Sequence, residues 1–360
     1  MVEAKRIETL SVLYTAGVIA GGMVTGGAAW GLSAALLPLS ASILPFRKRL
    51  MRWPEKVSVP LILTVFFLLG VLSALLSSLP SVSSPPFWEA AAERACSRLK
   101  GLIADIPFPS VGTAPLVTAL LTGDRSGLAP DTVSAFRTSG ASHILALSGL
   151  HLGILYLLLD KITSLPGRFP SVRIIRFCLL LAASGGFTLL TGCSPSLVRA
   201  FLFIMLNEIL RLTGRPRNSV RVLCLALLIQ LILDPGAVRS IGFQLSYLAM
   251  AGIFLINPIL EEWYPESPTW DPFRRIWKAA ALSISCQVTT APIAWLHFHT
   301  FPRYFLITNL TAMPLTTLLM GSAFFTVILS GLGACPPLLV TVTDTLCNWL
   351  QGVLRLIASL

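Results

Sequence analysis

The sequence predicts an all-α fold, a polytopic transmembrane helical bundle of about eleven spans that includes amphipathic or broken helices. Three observations carry that expectation. The 360 residues are 54% hydrophobic. They are only 12% charged, with a mean hydropathy of +0.79, against roughly 25% charged in soluble domains, which excludes a water-soluble globular protein. The stretches Val57 to Pro86, Leu179 to Val198 and Tyr304 to Thr343 carry no charge, and each reaches the length of about 20 residues at which a helix crosses the hydrocarbon of a bilayer.

Taken in order, the apolar runs place spans at 10–27, 29–45, 58–79, 139–159, 174–191, 197–213, 219–233, 240–257, 279–296, 304–331 and 336–357. The first two divide one long run at Gly26 and Gly27, because about 36 residues exceed a single crossing. Lys5 and Arg6 before this run resemble the start of a signal peptide, but a charged loop and another span follow, so the segment reads as a retained signal anchor. With this alternation, the loops holding Lys5 and Arg6, Arg47 to Lys56, Lys161 to Arg176, Arg211 to Arg221 and Arg274 to Lys278 collect most of the basic residues on one side. The positive-inside bias makes that side cytoplasmic, with the N-terminus inside and the C-terminus outside. The same bias accounts for much of the net charge of +11, which is therefore weak evidence for an anionic partner.

Between Leu79 and Gly140 the composition changes. Glu89/Glu93 and Arg94/Arg98 fall at helical spacing, and a second short amphipathic piece covers Pro130 to Thr138. The chain divides accordingly into a three-span unit at 1–79, an extracytoplasmic amphipathic segment at 80–138 and a membrane body at 139–360. The seven cysteines never take CxxC spacing and lie mostly in or against apolar spans. They read as small buried apolar residues and indicate neither a zinc site nor a disulfide framework.

Polar residues inside spans are costly and mark a path or site. In Ser139 to Asp160, Gly140, His143, Ser148 and His151 fall within an arc of about 140° at helical periodicity, so one side of the helix is polar and small and faces protein or water. Gly149 and Gly153 suit close helix approach. Ser148 and His151 also suggest a nucleophile with its base. Residues three apart on one helix seldom align for attack, so hydrolysis is set aside. His297 and His299 read as interfacial, with no metal site.

Ser194 as N-cap and Pro195 at the first helical position start the span at 197–213. Arg199 sits one turn inside, where it either snorkels to the outer interface or brings positive charge to a cavity. Glu208 and Arg211 form a structural pair. In the next polar span Gly242, Ser246 and Ala249 suggest tight packing, and Gln244 needs a partner from another helix or from water. Within 304–331, Thr308, Asn309, Thr311, Pro314, Thr316 and Thr317 lie towards mid-span. Pro314 frees a carbonyl near Leu310 and is expected to kink or break the helix, lining a path or closing on Thr hydroxyls. Neither a Walker A motif nor HExxH occurs, so no ATP motor or metalloprotease of that type is encoded.

Four of these segments, in order, resemble the membrane domain of ComEC-like competence proteins: FRTSGASHILALSGLHLG (Phe136 to Gly153), SPSLVRAFLF (Ser194 to Phe203), DPGAVRSIGFQLSYLAMAGI (Asp234 to Ile253) and NLTAMP (Asn309 to Pro314). The resemblance covers roughly two thirds of the chain. It implies a non-enzymatic inner-membrane channel, without cofactor, that passes single-stranded DNA to the cytoplasm during natural transformation. The implied path residues are Arg137, Ser139, Gly140, His143, Ser148, Gly149, His151, Arg199, Gln244, Ser246, Asn309 and Pro314. The implied partners are single-stranded DNA, the lipid bilayer, a separate DNA receptor, a cytoplasmic ATP-driven motor and a separate nuclease. The family's OB-like and metallo-β-lactamase-like domains have no counterpart in these residues. Their absence favours a rival reading, a transporter or flippase for a smaller anionic or lipid-linked substrate.

Overall fold

The computed structural model describes residues 2–23, 64–74, 89–163, 170–265, 271–299 and 302–360. The expected span at 29–45 and the division at Gly26 and Gly27 lie outside them. Among the described residues every regular element is helical. In chain order these are α1 (Val2–Met23), α2 (Thr64–Ala74), α3 (Glu89–Ala104), α4 (Thr113–Thr122), α5 (Pro130–Thr138), α6 (Ser142–Leu145), α7 (Gly149–Thr163) and α8 (Pro170–Leu190). There follow α9 (Pro195–Leu212), α10 (Ser219–Leu233), a 3-10 turn (Pro235–Arg239), α11 (Ile241–Leu255), α12 (Asn257–Glu262), α13 (Pro272–Phe298), α14 (Phe305–Gly331) and α15 (Pro337–Ala358). Among the described residues, four helices are long and apolar enough to cross a membrane: Val172–Leu190, Ile241–Glu262, Pro272–Phe298 and Phe305–Gly331.

Backbone packing divides the chain into two units. The first comprises Met1–Ser84 and Ile209–Tyr247. Here α1 packs on α10 and on the 3-10 turn. It also meets α2 backbone to backbone, where a side chain at Gly17 would strike the Phe67 carbonyl. Asn218 caps α10 by accepting from the Arg221 N–H at 3.0 Å. Gln230 accepts from Tyr247 Oη at 3.0 Å. Gln244 needs neither a second helix nor a lumen, because its Nε2 donates to the Val238 carbonyl at 2.9 Å and closes the 3-10 turn.

The second unit comprises Pro85–Glu208 and Leu248–Leu360. Its core draws Ile103 from α3, Leu116 and Leu120 from α4, Phe136 from α5, Ile144 from α6, Leu319 from α14 and Leu350 from α15. Residues 89–138 are therefore packed into the same body as α7, α14 and α15. Of the positions expected to pack closely, Ala249 lies in this unit, and its carbonyl is met by Cys286 Sγ of α13 at 3.9 Å. Gly242 is exposed, whereas Gly252 brings α11 against α13, with the Thr289 hydroxyl 2.6 Å from where a Cβ would sit. The cysteines are all free thiols, of which Cys347 is buried and Cys178 exposed, so the buried reading fails for Cys178.

Two expectations about helix continuity are corrected. The segment 139–159 is not one helix: α5 ends at Thr138, α6 is a single turn, and α7 begins at Gly149. Each interruption restarts the helical phase, so Gly140, His143, Ser148 and His151 share no helix face. Conversely, α14 runs unbroken through Pro314. Proline removes one intrahelical donor; the buried side chains of Ala312, Thr316 and Leu319 on either side of it keep α14 seated in the core.

A buried carboxylate fixes the loop before α4. Asp344 of α15 accepts from the Ser110 N–H at 3.1 Å, Ser110 Oγ at 2.8 Å, Thr113 Oγ1 at 2.5 Å and Asn348 Nδ2 at 3.1 Å. Asp344→Ala leaves these donors facing a void and is expected to cost about 3 kcal/mol, read as a lowered melting temperature of the detergent-solubilised protein.

Nearby, Lys100 Nζ donates to Asp124 Oδ2 at 2.6 Å. That bond, then the Ser126 N–H, holds the Asp124 carboxyl well below the usual carboxylate range, and the same bond raises Lys100. A carboxyl depressed by folding stabilises above its unfolded pKa of about 4 and loses the contribution as pH falls below it. The raised lysine contributes below about pH 10 and loses that contribution as pH rises further. Side-chain exposure of 38% and 31% limits the pair to under about 1 kcal/mol. The melting temperature of Asp124→Asn is expected to fall slightly below wild type at neutral pH and to converge with it in acid.

Candidate functional site

The second unit gathers several of the sequence-implied path residues around the interruptions on either side of α6. The first interruption follows from Gly140. Its φ of +81° is left-handed, a conformation that glycine adopts without strain. Gly140 N–H bonds the Arg137 carbonyl at 3.1 Å and Ala141 N–H bonds the Phe136 carbonyl at 2.8 Å, the paired bonds of a Schellman ending. A side chain at Gly140 would also meet Pro302 Cβ at 2.6 Å. Ser139 is fully buried, and its carbonyl accepts from Thr308 Oγ1 at 2.6 Å. Arg137 remains exposed on the last turn of α5.

At the second interruption Ser148 and His151 form a reciprocal cap. Ser148 Oγ accepts from the Leu150 N–H at 3.3 Å, while His151 Nδ1 accepts from the Ser148 N–H at 3.2 Å. This is the capping-box arrangement with imidazole in place of glutamate. Ser148 Oγ also lies 3.1 Å from His151 Nδ1, so hydroxyl and amide of the same serine both face that ring nitrogen. An amide N–H can only donate, so the bond places the ring hydrogen on Nε2. His151 is 1% exposed and Nε2 has no hydrogen-bond partner; the Ile144 carbonyl lies close without completing one. His143 on α6 is accessible, and its Nδ1 donates to the Gly140 carbonyl at 3.2 Å.

Gly149 brings α9 against the start of α7. A Cβ there would lie 2.9 Å from Arg199 Nη2 and 3.2 Å from Ala200 Cβ. Arg199 is 8% exposed and is turned in against α7. Two helical turns further along the same pair of helices, Tyr156 Oη donates to Glu208 Oε1 at 2.6 Å. Ser194 opens α9 through its carbonyl, which accepts from Leu197 and Val198, but its Oγ bonds nothing, so the expected side-chain cap does not form. On α14, Asn309 Oδ1 is buried without a partner and Pro314 is exposed. Gln244 and Ser246 belong to the first unit. His297 and His299 are exposed.

Sequence reasoning missed Arg125, whose Nε donates to the Leu145 carbonyl at 3.1 Å, and missed the role of Thr308. Bonds from a side chain to a distant backbone carbonyl leave no spacing pattern to read.

Apolar helices of membrane-spanning length, together with an interrupted and internally capped segment, define a helical membrane protein. The chain belongs to the competence protein family, whose model matches residues 120–360. It is 27% identical over 256 residues to ComE operon protein 3 of Bacillus subtilis (strain 168), covering 71% of this chain and 31% of that protein. It is 27% identical over 212 residues to the uncharacterized protein YcaI of Escherichia coli (strain K12), covering 56% of this chain and 27% of that one. An uncharacterized MG316 homolog of Mycoplasma pneumoniae is 30% identical over 123 residues, covering 34% of this chain and 30% of that one. The chain thus spans about a third of the length of the curated relatives it matches. No solved structure matches it.

The reciprocal cap has a thermodynamic signature. Ser148→Ala and His151→Ala are each expected to destabilise by about 1 kcal/mol, and the double variant by less than the sum, because either change removes the shared bonds. A thermal-unfolding double-mutant cycle reads this directly, and full additivity would refute the cap.

Proposed function

We propose that this chain is an inner-membrane channel through which single-stranded DNA enters the cytoplasm during natural transformation. The reading includes about eleven crossings, a cytoplasmic N-terminus and an extracytoplasmic C-terminus. The observation that carries it is that three of the motif segments bury polar atoms left without hydrogen bonds: His151 Nε2, Ser194 Oγ and Asn309 Oδ1. A buried unbonded polar group costs about 1 to 3 kcal/mol, so water or a polar cargo completes these positions. Family membership and the similarity to ComE operon protein 3 support nucleic acid as the cargo.

In this reading Arg137 and Arg199 draw the phosphate backbone inward. Ser139, Gly140, His143, Ser148, Gly149 and His151 form the interrupted wall. Asn309 replaces lost hydration, whereas Gln244 serves its own 3-10 turn in the other unit. Pro314 removes the helical donor to the Leu310 carbonyl without breaking α14. The role is passage rather than bond chemistry. A DNA receptor, an ATP-driven cytoplasmic motor and a nuclease act with it at the lipid bilayer.

The test is uptake of fluorescent DNA into the cytoplasm of a competent host. A deletion strain and a His151→Ala strain at normal expression are expected to keep DNA at the outer surface and lose cytoplasmic entry. Normal entry in the deletion strain would overturn the reading in favour of a transporter or flippase for a smaller anionic or lipid-linked substrate.

A further inference from the structure

Threonine hydroxyls in these helices commonly bond a carbonyl four residues back on their own helix, as Thr188, Thr311, Thr316 and Thr326 do. Thr308 also starts a turn of helix, yet its hydroxyl reaches across 169 residues of sequence to the Ser139 carbonyl, just before α6. At the other end of α6, Arg125 in the loop after α4 donates Nε to the Leu145 carbonyl. Three residues beyond that carbonyl, His151 of α7 accepts from the Ser148 N–H. Side chains from three separate elements therefore fasten the backbone on both sides of a four-residue helix.

What they fasten is otherwise weakly held. A single turn fixes several dihedrals for one or two hydrogen bonds and does not persist alone. Its flanks are the left-handed Gly140 and the extended Ala146, two positions able to absorb a dihedral change. Between them Ile144 and Leu145 are buried in the core of the unit beside α14, while Ser142 and His143 stay accessible on the other side of the turn.

The geometry points to a gate: α6 is a one-turn plug, hinged at Gly140 and Ala146, and latched shut by Thr308, Arg125 and the Ser148–His151 cap. Withdrawing it removes Ile144 and Leu145 from the core and frees the Ser139 and Leu145 carbonyls to face a hydrated opening. Thr308 and Arg125 are positioning residues that act through the backbone of the plug. The inference rests on reading residues 136–151 as part of a path, but it does not depend on the cargo being DNA.

Its test is therefore a leak, measured without DNA. The full chain is reconstituted in phosphatidylcholine liposomes that enclose a small fluorescent anion, and passive efflux is recorded. Thr308→Val keeps the shape of the side chain and loses the donor; efflux is expected to rise roughly fivefold, the population shift that follows loss of one buried hydrogen bond. Thr308→Ser restores the donor and returns efflux to the wild-type level. Arg125→Ala, on an exposed loop where folding is not at stake, raises efflux as well. Thr316→Val, which removes an equally buried hydroxyl bonded within its own helix, leaves efflux unchanged.

Unchanged efflux in both Thr308→Val and Arg125→Ala would overturn the gate, as would an equal rise in Thr316→Val, which would mark general loosening. If the efflux pattern holds while the host takes up DNA normally without the chain, the gate stands and the cargo assignment falls. If uptake depends on the chain and efflux ignores the latch, the gate alone falls.

Discussion

A backbone that leaves helical geometry inside an apolar bundle must find partners for the N–H and C=O groups it frees, because no water is at hand to take them. Between Phe136 and His151 the chain meets that demand twice. The first ending is closed by the left-handed glycine and by a threonine from a helix distant in sequence. The second is closed by a serine and a histidine that cap each other's turn. The surrounding architecture follows from these closures. α14 must present Thr308 at the height of Ser139, α9 must approach closely enough to need a glycine at 149, and the loop after α4 must bring Arg125 to Leu145.

The same demand explains why so much polarity is tolerated near this segment. Most of it serves the backbone. Ser148 satisfies amides, Thr308 satisfies a carbonyl, and Gln244 in the other unit does likewise for its 3-10 turn. Once these are accounted for, a few buried side-chain atoms remain unbonded, among them His151 Nε2, the Ser184 and Ser194 hydroxyls and the Asn257 and Asn309 amide oxygens. Those atoms, and not the full set of polar residues in the spans, are where an added hydrogen-bond partner has something to gain.

Elements with a strong local signature were legible in the sequence. The piece expected at Pro130 to Thr138 is α5 with the same bounds, the helix expected at 219–233 is α10, though shorter than the four of membrane-spanning length, and the span at 304–331 differs from α14 by one residue. Helix α4 went unread because TAPLVTALLT is too short for a crossing and lies in a stretch judged by its charges. The interruptions at 139–141 and 146–148 were hidden by a polar periodicity that continues in sequence while the backbone restarts. At Pro314 the break does not occur, since packing on both sides of it holds α14 together at the loss of one bond. Of the site, the residue types were readable, but their partners were not. Backbone carbonyls look alike in any sequence, and which one Arg125 or Thr308 reaches is decided only by the tertiary fold.

The clasp between Ser110 and Asp344 joins residues 234 apart. At ribosomal rates of about 5 to 20 residues per second, that separation is roughly 10 to 50 s of synthesis. Throughout that interval α4 has been made but α15, which completes its surroundings, has not. The nascent chain therefore holds Leu116, Val117 and Leu120 without their final neighbours while the intervening helices are still being delivered to the bilayer. Lipid, or the insertion machinery itself, must shelter this short helix in the meantime. Its burial waits for α15, long after its own sequence has emerged.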